Sequence, residues 1–397
     1  MENLFTAEFI QVVASEALAH LQDALVIKDL CATDVTSEYN VRPNGYQVGD
    51  TVNFKIDPVY EAKEFDPAVG VVEQPIRSSN RSLTIEKHFD ITTGVSAKEK
   101  ALSFEGFSAE VIQPGAYAIA EKIDKYMAGK VHQGMGLYVS DDLFGAVSGN
   151  GGKDLAQARK VALIQQLGMN KFCLMGPELE AVLLGQEWFT GANNRGDDRI
   201  LRTGELGTTM GLDFFSTVNW ESKTRTNSSG TATLVTAATA LAGKYNLVGQ
   251  KSIVVKEIVG GFLAGDRIAV AGCKRPMIVA ANKAAAIISA PVADRTIDLV
   301  DPITEILAAD AAVTVVGGNG VVFEVQAAIF DGKSLGFAMP MLDAPETGVS
   351  AVASNNGISI RVVSAYDQKF KRSTMSMDCL IGGFALDPRR ITLLGNK

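Results

Sequence analysis

The chain has 397 residues, of which 47% are apolar and 21% charged, a composition that predicts a folded protein with a sizeable core and excludes bulk disorder. This length exceeds the usual single-domain range, so two or three folding units are expected. The formal net charge of −8 argues against a protein whose main task is to grip nucleic-acid phosphates.

The N-terminus and the cysteines bear on the compartment. The first residues read MENLFTAEFI, with acidic Glu2 and Glu8 and no basic region of the kind that opens a secretory signal. No apolar run reaches the roughly 18 residues of a membrane helix. The cysteines are far apart and form no CxxC pair, which favours reduced thiols (Cys31, Cys173, Cys273, Cys379). We expect a protein that is made and used in a cytoplasm, or released from it by lysis.

The first predicted element is an amphipathic helix over residues 7–27. Its apolar residues recur at three- and four-residue spacing (Phe9, Ile10, Val13, Ala17, Leu21, Leu25). We expect this helix to lie on a surface as an N-terminal arm. A break follows at residues 40–49, which contain Pro43, Gly45 and Gly49.

Two predicted strands follow the break. Residues 51–56 alternate apolar and polar side chains, and a second strand places Leu83, Ile85, Phe89 and Ile91 on one face. Residues 57–80 between them are rich in charge and proline. A two-stranded arm buries too little apolar surface to be stable alone, so we expect it to lie on the rest of the chain or on a neighbouring subunit.

The middle of the chain predicts a mixed α/β body. Residues 108–130 form the most regular amphipathic helix, in which Pro114 fits either the first turn or a kink. A loop at 140–152 and a second helix at 153–167 follow. The segment NKFCLMGPELEAVLLGQEWF then changes from strand to helix, with Pro177 suited to the first helical turn.

The last part of the chain predicts mostly strands. Residues 224–233, TRTNSSGTAT, are interpreted as a linker. Short apolar segments up to about residue 320 (KSIVVKEIV, RIAVAG, PMIVAA, AAIIS, RTIDLV, AAVTVV) predict an inserted small β-barrel or sandwich. Two alternating strands close the chain in GISIRVV and TMSMDCLI, joined by a loop at 364–373.

No motif for catalysis, cofactor binding or metal binding emerges. Gly332-Lys333-Ser334 resembles the end of a phosphate-binding loop, but Ala327 stands where that motif requires glycine. The cluster GGNG at 317–320 lacks dinucleotide-binding spacing and is interpreted as a turn.

The remaining polar candidates also favour structural roles. The three histidines lie in separate elements without zinc-ligand or triad spacing (His20, His88, His132). The acidic pairs Asp141-Asp142 and Asp197-Asp198 are interpreted as solvated loop charge. Trp188 and Trp220 are expected to be packing residues. We therefore assign no site residues and no cofactor, and do not expect an enzyme.

Several stretches carry a resemblance to a known family. The C-terminal GISIRVVSAYDQKFKRSTMSMDCLIGGFALDPRRITLLG resembles the closing segment of the P22-type phage coat proteins, which share the HK97 capsid fold. Similar matches run in the same order through EKHFDITTGVSAKEKALSFEGFSAEVIQPGAYAIAEKIDKYMAG, NKFCLMGPELEAVLL, GELGTTMGLDFFST and AGDRIAVAGC. In the last of these, Cys273 stands where valine is usual. FEVQAAIFDGKSLGFAMPML is similar but less closely so. Together the matches run from about Thr51 to the end.

The resemblance implies an α+β fold with a fixed division of the chain. It implies an N-terminal arm (1–44), an extended E-loop (45–95), a spine helix with the peripheral domain (96–150), an axial domain (151–227), an inserted β-barrel (228–320), and a return to the axial and peripheral domains with the C-terminal strands (321–397).

The implied function is that of a major capsid protein of a tailed phage. Such a protein self-assembles into pentamers and hexamers of an icosahedral shell, with a scaffolding protein and a portal, and the procapsid expands as double-stranded DNA is packaged. The resemblance implies a virion protein assembled in the host bacterial cytoplasm, with no membrane partner and room for decoration proteins. The alternatives are a phage decoration or receptor-binding protein, suggested by the inserted β-domain alone, and a soluble hydrolase or NTPase.

Overall fold

The computed structural model describes residues 7–32, 50–56, 79–95, 108–145, 151–191, 206–235, 246–280, 295–318, 320–343, 345, 348–367 and 372–397. In this part of the chain the helices are α1 (Ala7–Ala24), α2 (Gln113–Val131), α3 (Gly151–Ile164), α4 (Pro177–Leu184) and α5 (Glu187–Thr190). The strands are β1 (Thr51–Ile56), β2 (Ser79–Val95), β3 (Gly136–Ser140), β4 (Phe172–Met175), β5 (Thr208–Thr209), β6 (Leu212–Ser216), β7 (Lys223–Thr226), β8 (Thr231–Leu234), β9 (Ser252–Val259), β10 (Arg267–Val270), β11 (Met277–Ile278), β12 (Arg295–Asp298), β13 (Ala312–Val315), β14 (Val322–Phe330), β15 (Leu335–Ala338), β16 (Val349–Asn355), β17 (Ile358–Asp367), β18 (Arg372–Ala385) and β19 (Thr392–Asn396). The fold is mixed α+β.

The first sheet contains the antiparallel β1–β2 hairpin and is called the hairpin sheet. Its strand order is β1-β2-β18-β17-β16, and β15 also pairs with β18. Every pairing in it is antiparallel. The predicted alternation in the two C-terminal strands is confirmed, because one set of side chains on β17 and β18 is fully buried in the largest core (Ile358, Ile360, Val362, Met375, Met377, Cys379, Ile381). These strands are longer than expected. The predicted loop at 364–373 is largely strand, and its residues 368–371 lie outside the described part.

Helix α1 packs on β16, β17 and α2 of its own chain. The apolar stripe predicted for it is confirmed, since Ile10, Val13, Ala17 and Leu21 are buried in the same core as the sheet. The arm expected at this position therefore includes a helix that is built into the body, because burying this stripe requires an apolar partner surface.

Helix α2 follows a π-helical turn at Ser108–Ile112. Pro114 lies in its first turn, which is the first of the two positions that the sequence allowed. The buried face of α2 carries Ile119 and Ile123, as predicted.

The central sheet has the order β3-β19-β14-β4-β6-β5, with β7 also pairing with β14. It is mixed, because β19 runs parallel to β3 and β4 runs parallel to β6. The strand-to-helix step predicted around Pro177 is confirmed, with β4 leading into α4 through Gly176. A second core lies between this sheet and α3 to α5, and includes Leu155, Leu183 and Phe189.

The third sheet has the order β11-β10-β13-β8-β9-β12 and encloses a core of its own. Its two outer strands are linked by an antiparallel bridge between Val279 and Leu299, and by hydrogen bonds from Ala280 N–H to Asp298 O (2.8 Å) and from Val300 N–H to Ile278 O (3.0 Å). The predicted segment AAIIS, at 285–289, lies outside the described residues.

The linker predicted at 224–233 is wrong. Most of it belongs to β7 and β8, with residues 227–230 as the connection between them. Its threonines are β-branched and suit a pleated strand despite their polarity, so a composition typical of loops conceals two strands that belong to different sheets.

The expectation that Leu83, Ile85, Phe89 and Ile91 share one face of β2 is also wrong. The pairing of β2 with β18 shifts where Lys87 lies opposite Ile381 and Ile85 opposite Gly382, which leaves a β-bulge at Glu86. Side chains before and after a bulge change faces. Leu83 and Ile85 accordingly pack in a separate cluster, with Ala338, Leu380 and Phe384, whereas Phe89 and Ile91 face the helices.

The bulge predicts a strong effect of a small substitution at Gly382. A Cβ atom there would lie 2.9 Å from the backbone oxygen of Thr84. We expect Gly382→Ala to lower the free energy of unfolding by about 1–3 kcal/mol, since it overpacks the strands at the bulge. Urea titration of the purified variant measures this.

Gly129→Ala is the matched control. Gly129 lies in α2, and a Cβ atom there would meet nothing within 4 Å. Alanine favours the helix over glycine by about 0.5–1 kcal/mol, so this variant should be slightly more stable than the wild type. Equal effects of the two substitutions would contradict the close approach at the bulge.

Candidate assembly site at the root of the long hairpin

Strands β1 and β2 form a hairpin that overhangs the sheet. β2 pairs with β18 from Val95 to Ile85, while residues 79–84 pair with β1 alone among the described strands. Six residue pairs at about 3.3 Å each give an overhang of about 20 Å. Because a two-stranded ribbon is marginal in water, its position depends on the contacts of residues 81–88, here called the hairpin root.

One contact at the hairpin root is apolar. Leu83 and Ile85 are fully buried against Ala338, Leu380 and Phe384. Burying a side chain of this size contributes about 1.5–3 kcal/mol, so this pair supplies a large share of the binding of the hairpin to the body.

A second contact joins the hairpin root to α2. The hydroxyl of Tyr126 donates to Glu86 Oε2 at 3.0 Å and accepts from the backbone N–H of Gly383 at 3.1 Å. Lys130 Nζ lies 2.8 Å from the same carboxylate. Burial alone would raise the pKa of Glu86, but the hydrogen bonds from Lys130 and Tyr126 outweigh it and hold this pKa below its usual value. The bulge thus points a carboxylate at the helix.

A third contact joins the hairpin root to the third sheet. Arg81 Nη2 lies 2.6 Å from Asp301 Oδ1, just beyond β12. Asp301 is 3% exposed, so the pair is largely withdrawn from water. Removing one partner of a buried pair leaves the other charge uncompensated, which typically costs about 3–5 kcal/mol.

A fourth contact crosses three strands of the hairpin sheet. Arg361 on β17 binds both carboxylate oxygens of Asp378 on β18, and His88 Nε2 on β2 lies 2.8 Å from Asp378 Oδ2. A bidentate pair of this kind has a defined geometry. It therefore fixes the register of the three strands next to the bulge.

The segment after α1 is held by a buried carboxylate of α2. Asp124 is 1% exposed and accepts hydrogen bonds from the backbone N–H groups of Val26 and Ile27, each at 3.3 Å. Burial raises the pKa of Asp124 to about 6, although these hydrogen bonds act in the opposite direction. Asp124 ties the two helices of the body together.

The thiols are not activated nucleophiles. All four cysteines are free, and burial raises the pKa of Cys173 and Cys379 to about 12 and that of Cys273 to about 11. Burial likewise raises the pKa of Cys31. A catalytic thiolate needs a lowered pKa, whereas the raised pKa values of these thiols favour the protonated form at neutral pH.

The histidines lie apart from one another. His20 contacts Glu16 on α1, His88 contacts Asp378, and His132 packs on Trp220 with its Nε2 3.0 Å from the backbone oxygen of Glu221. Within the described ranges, no group of three or more His, Cys, Asp or Glu side chains could hold a metal ion. No helix there is long and apolar enough to cross a membrane.

The other sequence candidates occupy structural positions. Residues 332–334 form the turn between β14 and β15, where Ser334 Oγ donates to Asp331 Oδ1 at 2.7 Å. Asp141 pairs with Lys397 at 2.9 Å, and Trp188 packs edge-on against Phe189. Asp197-Asp198 and the excursion at 57–78 lie outside the described residues, as does the break at 40–49.

Sequence reasoning missed the polar anchors of the hairpin root. Asp124 carried a usable signal, since it is a lone carboxylate beside Ile123 on the apolar face of α2. Glu86 carried no such signal, because the position of a β-bulge depends on how the strand pairs with its partner and not on the sequence of the strand alone. Arg81 and Asp301 are 220 positions apart, and a single sequence holds no sign that they meet.

Comparison with known proteins shows the fold. The chain is similar to a chain from Mycobacterium phage Che8 (12% identity, TM-score 0.52), with 93% of this chain and 90% of that one covered. It is also similar to chains of the capsid of cyanophage P-SCSP1u (11% identity, TM-score 0.48, 94% and 88% covered) and of the mature capsid of bacteriophage PhiM1 (9% identity, TM-score 0.45, 88% and 84% covered). No protein-family model and no curated protein matches the sequence. At 12% identity, the similarity to the Che8 chain shows a shared fold.

The buried pair predicts a large effect at Arg81. We expect Arg81→Met to lower the free energy of unfolding by about 3 kcal/mol, because Asp301 is left buried without its cation. The double variant Arg81→Met/Asp301→Asn should lose less free energy of unfolding than the sum of the losses in Arg81→Met and Asp301→Asn. Urea titrations of the three variants measure this coupling.

Lys125→Ala is the control. Lys125 lies 2.6 Å from Glu121, the same distance as in the buried pair, but both side chains are exposed to solvent. Loss of this exposed ion pair should lower the free energy of unfolding by at most about 0.5 kcal/mol. Equal losses from Arg81→Met and Lys125→Ala would show that the Arg81 pair does not anchor the hairpin.

Asp124 predicts a pH dependence of stability. Its pKa is raised from 3.8 to about 6 in the folded state, so the protonated form stabilises folding fully below about pH 4. That contribution is lost as the pH rises to about 6. The stability of the wild type relative to Asp124→Asn should therefore fall by about 2–3 kcal/mol between pH 4 and pH 7. A constant difference between the two proteins across this range would refute the assignment.

Proposed function

We propose that this chain is the major capsid protein of a tailed phage, with the HK97 capsid fold and a place in the P22-type coat protein family. The observation that carries the proposal is the fold shared with the Mycobacterium phage Che8 chain over 93% of this chain and 90% of the other. The ordered sequence resemblance from about Thr51 onward supports the narrower family.

The proposal assigns a role to each part of the chain. Residues 1–44 are the N-terminal arm, 45–95 the E-loop, 96–150 the spine helix and peripheral domain, 151–227 the axial domain, and 321–397 the return segment. In this division α2 is the spine helix and the β1–β2 hairpin is the stem of the E-loop. The buried anchors of the hairpin root support that role, because they hold an overhanging arm at a defined angle.

Residues 228–320 are proposed to form an inserted β-barrel. Two features support this: the third sheet lies inside the range with its own core, and hydrogen bonds link its outer strands around Val279 and Leu299. A sheet whose edges pair with each other avoids open edges, which suits a domain exposed on a particle.

The proposed activity is assembly and not catalysis. Copies join as pentamers and hexamers of an icosahedral shell, first as a procapsid built with a scaffolding protein and a portal, which expands as double-stranded DNA enters. Repeated interfaces that are individually modest suffice, since a closed shell multiplies them. With a net charge of −8, the subunit holds DNA by confinement more than by affinity. The mature protein belongs to the virion, where decoration proteins are further candidate partners.

Deleting residues 57–80 tests the proposal. This segment includes the excursion outside the described residues, and we expect its loss to leave a folded subunit that fails to assemble. Far-ultraviolet circular dichroism reports the fold, and sedimentation velocity separates subunits from shells. A replacement of equal length by glycine and serine should fail in the same way, because it keeps the reach of the segment but removes its contacts.

Closed shells of normal size from the deletion would overturn the E-loop assignment. Shells from the glycine-serine replacement alone would show that only the reach of the segment matters.

A further inference from the structure

A cavity of about 340 Å³ lies where four parts of the fold meet. Arg81 of the hairpin root, His132 at the end of α2, Lys223 and Arg225 of β7, and Arg267 of β10 line it. Four cationic side chains from three separate strands therefore converge on one space.

The two inner arginines are held by neutral groups. Arg267 is 3% exposed, and its Nε donates to the backbone oxygen of Gly134 at 2.9 Å, while Nη2 reaches the same oxygen and that of His132. Arg225 Nη2 donates to the His132 oxygen at 2.8 Å. These carbonyls fix the directions of both guanidinium groups but supply no full negative charge.

Nearby carboxylates do not balance the cations. Asp301 is paired with Arg81, and Asp266 Oδ2 accepts hydrogen bonds from Ser228 Oγ at 2.5 Å and from the backbone N–H of Leu263 at 2.7 Å. The C-terminal end of α2 adds about half a negative charge. Four cations thus face two carboxylates, and among the described residues Lys223, Arg225 and Arg267 form no ion pair within 4.0 Å.

Burial and the neighbouring cations both lower the pKa values of groups that line the cavity. Burial, and then repulsion from Arg225, lowers the pKa of Arg267 to about 9. Burial, and then Lys223, lowers the pKa of His132 to about 4. Each positive charge in this cavity makes the next less favourable, and a bound anion would relieve that repulsion.

We propose that this cavity is a binding site for a phosphate-class oxyanion. Arg225 uses Nη2 to bind the His132 oxygen and offers its other N–H groups to an anion, while Lys223 adds a flexible point charge and Arg267 adds charge from behind. The volume is ample for one tetrahedral oxyanion with its water. A bound anion joins the hairpin root, the end of α2 and the third sheet, so occupancy stabilises the junction that positions the hairpin.

The test measures binding of inorganic phosphate to the full chain by calorimetry, together with the melting temperature in sodium phosphate and in sodium chloride of equal ionic strength. Phosphate should raise the melting temperature beyond the chloride value. Lys223→Ala and Arg225→Met should each weaken phosphate binding about tenfold, the effect of losing one charge-assisted contact.

Lys333→Ala is the matched control, because Lys333 is exposed and lies in the turn between β14 and β15. It removes the same charge and should leave binding unchanged. Lys223 is exposed as well, so Lys223→Ala should fold normally. If Arg225→Met does not fold, phosphate binding by Lys223→Ala alone tests the site. Equal effects of phosphate and chloride, or equal binding by the Lys223 and Lys333 variants, would overturn the site.

A short DNA duplex separates the two sources of the ligand. Displacement of phosphate by the duplex assigns the site to a nucleic-acid backbone, and retention of phosphate assigns it to the free anion, both consistent with the proposal. Binding does not require shell formation, so failure of this site leaves the proposed function untouched.

Discussion

The fold depends on one constraint: a two-stranded ribbon cannot hold its own position in water. The β1–β2 hairpin overhangs its sheet, and buried contacts at the hairpin root stabilise its position. Leu83 and Ile85 supply apolar burial, Glu86 reaches α2, and Arg81 reaches Asp301 beside the third sheet. These contacts reach three different parts of the body, so together they restrict the angle of the hairpin and not merely its attachment.

The same region joins the three parts of the body. Helix α2 meets the hairpin through Tyr126 and Lys130, and the segment after α1 through Asp124. Just after α2, the backbone oxygens of His132 and Gly134 accept hydrogen bonds from Arg225 of the central sheet and Arg267 of the third sheet. Residues 124–134, at the end of α2 and just after it, therefore hold these parts together through hydrogen bonds.

Periodicity carried most of the sequence-based prediction. Helix α1, helix α2, the step at Pro177 and the two C-terminal strands follow from residue spacing, since each buries a regular apolar face, whereas the π-helical turn at Ser108–Ile112 was not predicted. The errors have specific physical causes. A bulge at Glu86 reversed the faces of β2, and threonines in β7 and β8 resembled a polar linker. The hairpin root was beyond reach for another reason: its ion pair joins residues 220 positions apart, and only the fold brings them together.

The central claim is that copies of this chain build a shell, with the hairpin as one of the surfaces through which they meet. Electron microscopy of the purified full-length protein tests it most directly, because a shell subunit forms objects far larger than its own 42.1 kDa mass. We expect closed shells, tubes or rings of capsomers, produced alone or with the co-expressed scaffolding protein. A uniform population of monomers or small oligomers under both conditions would contradict it.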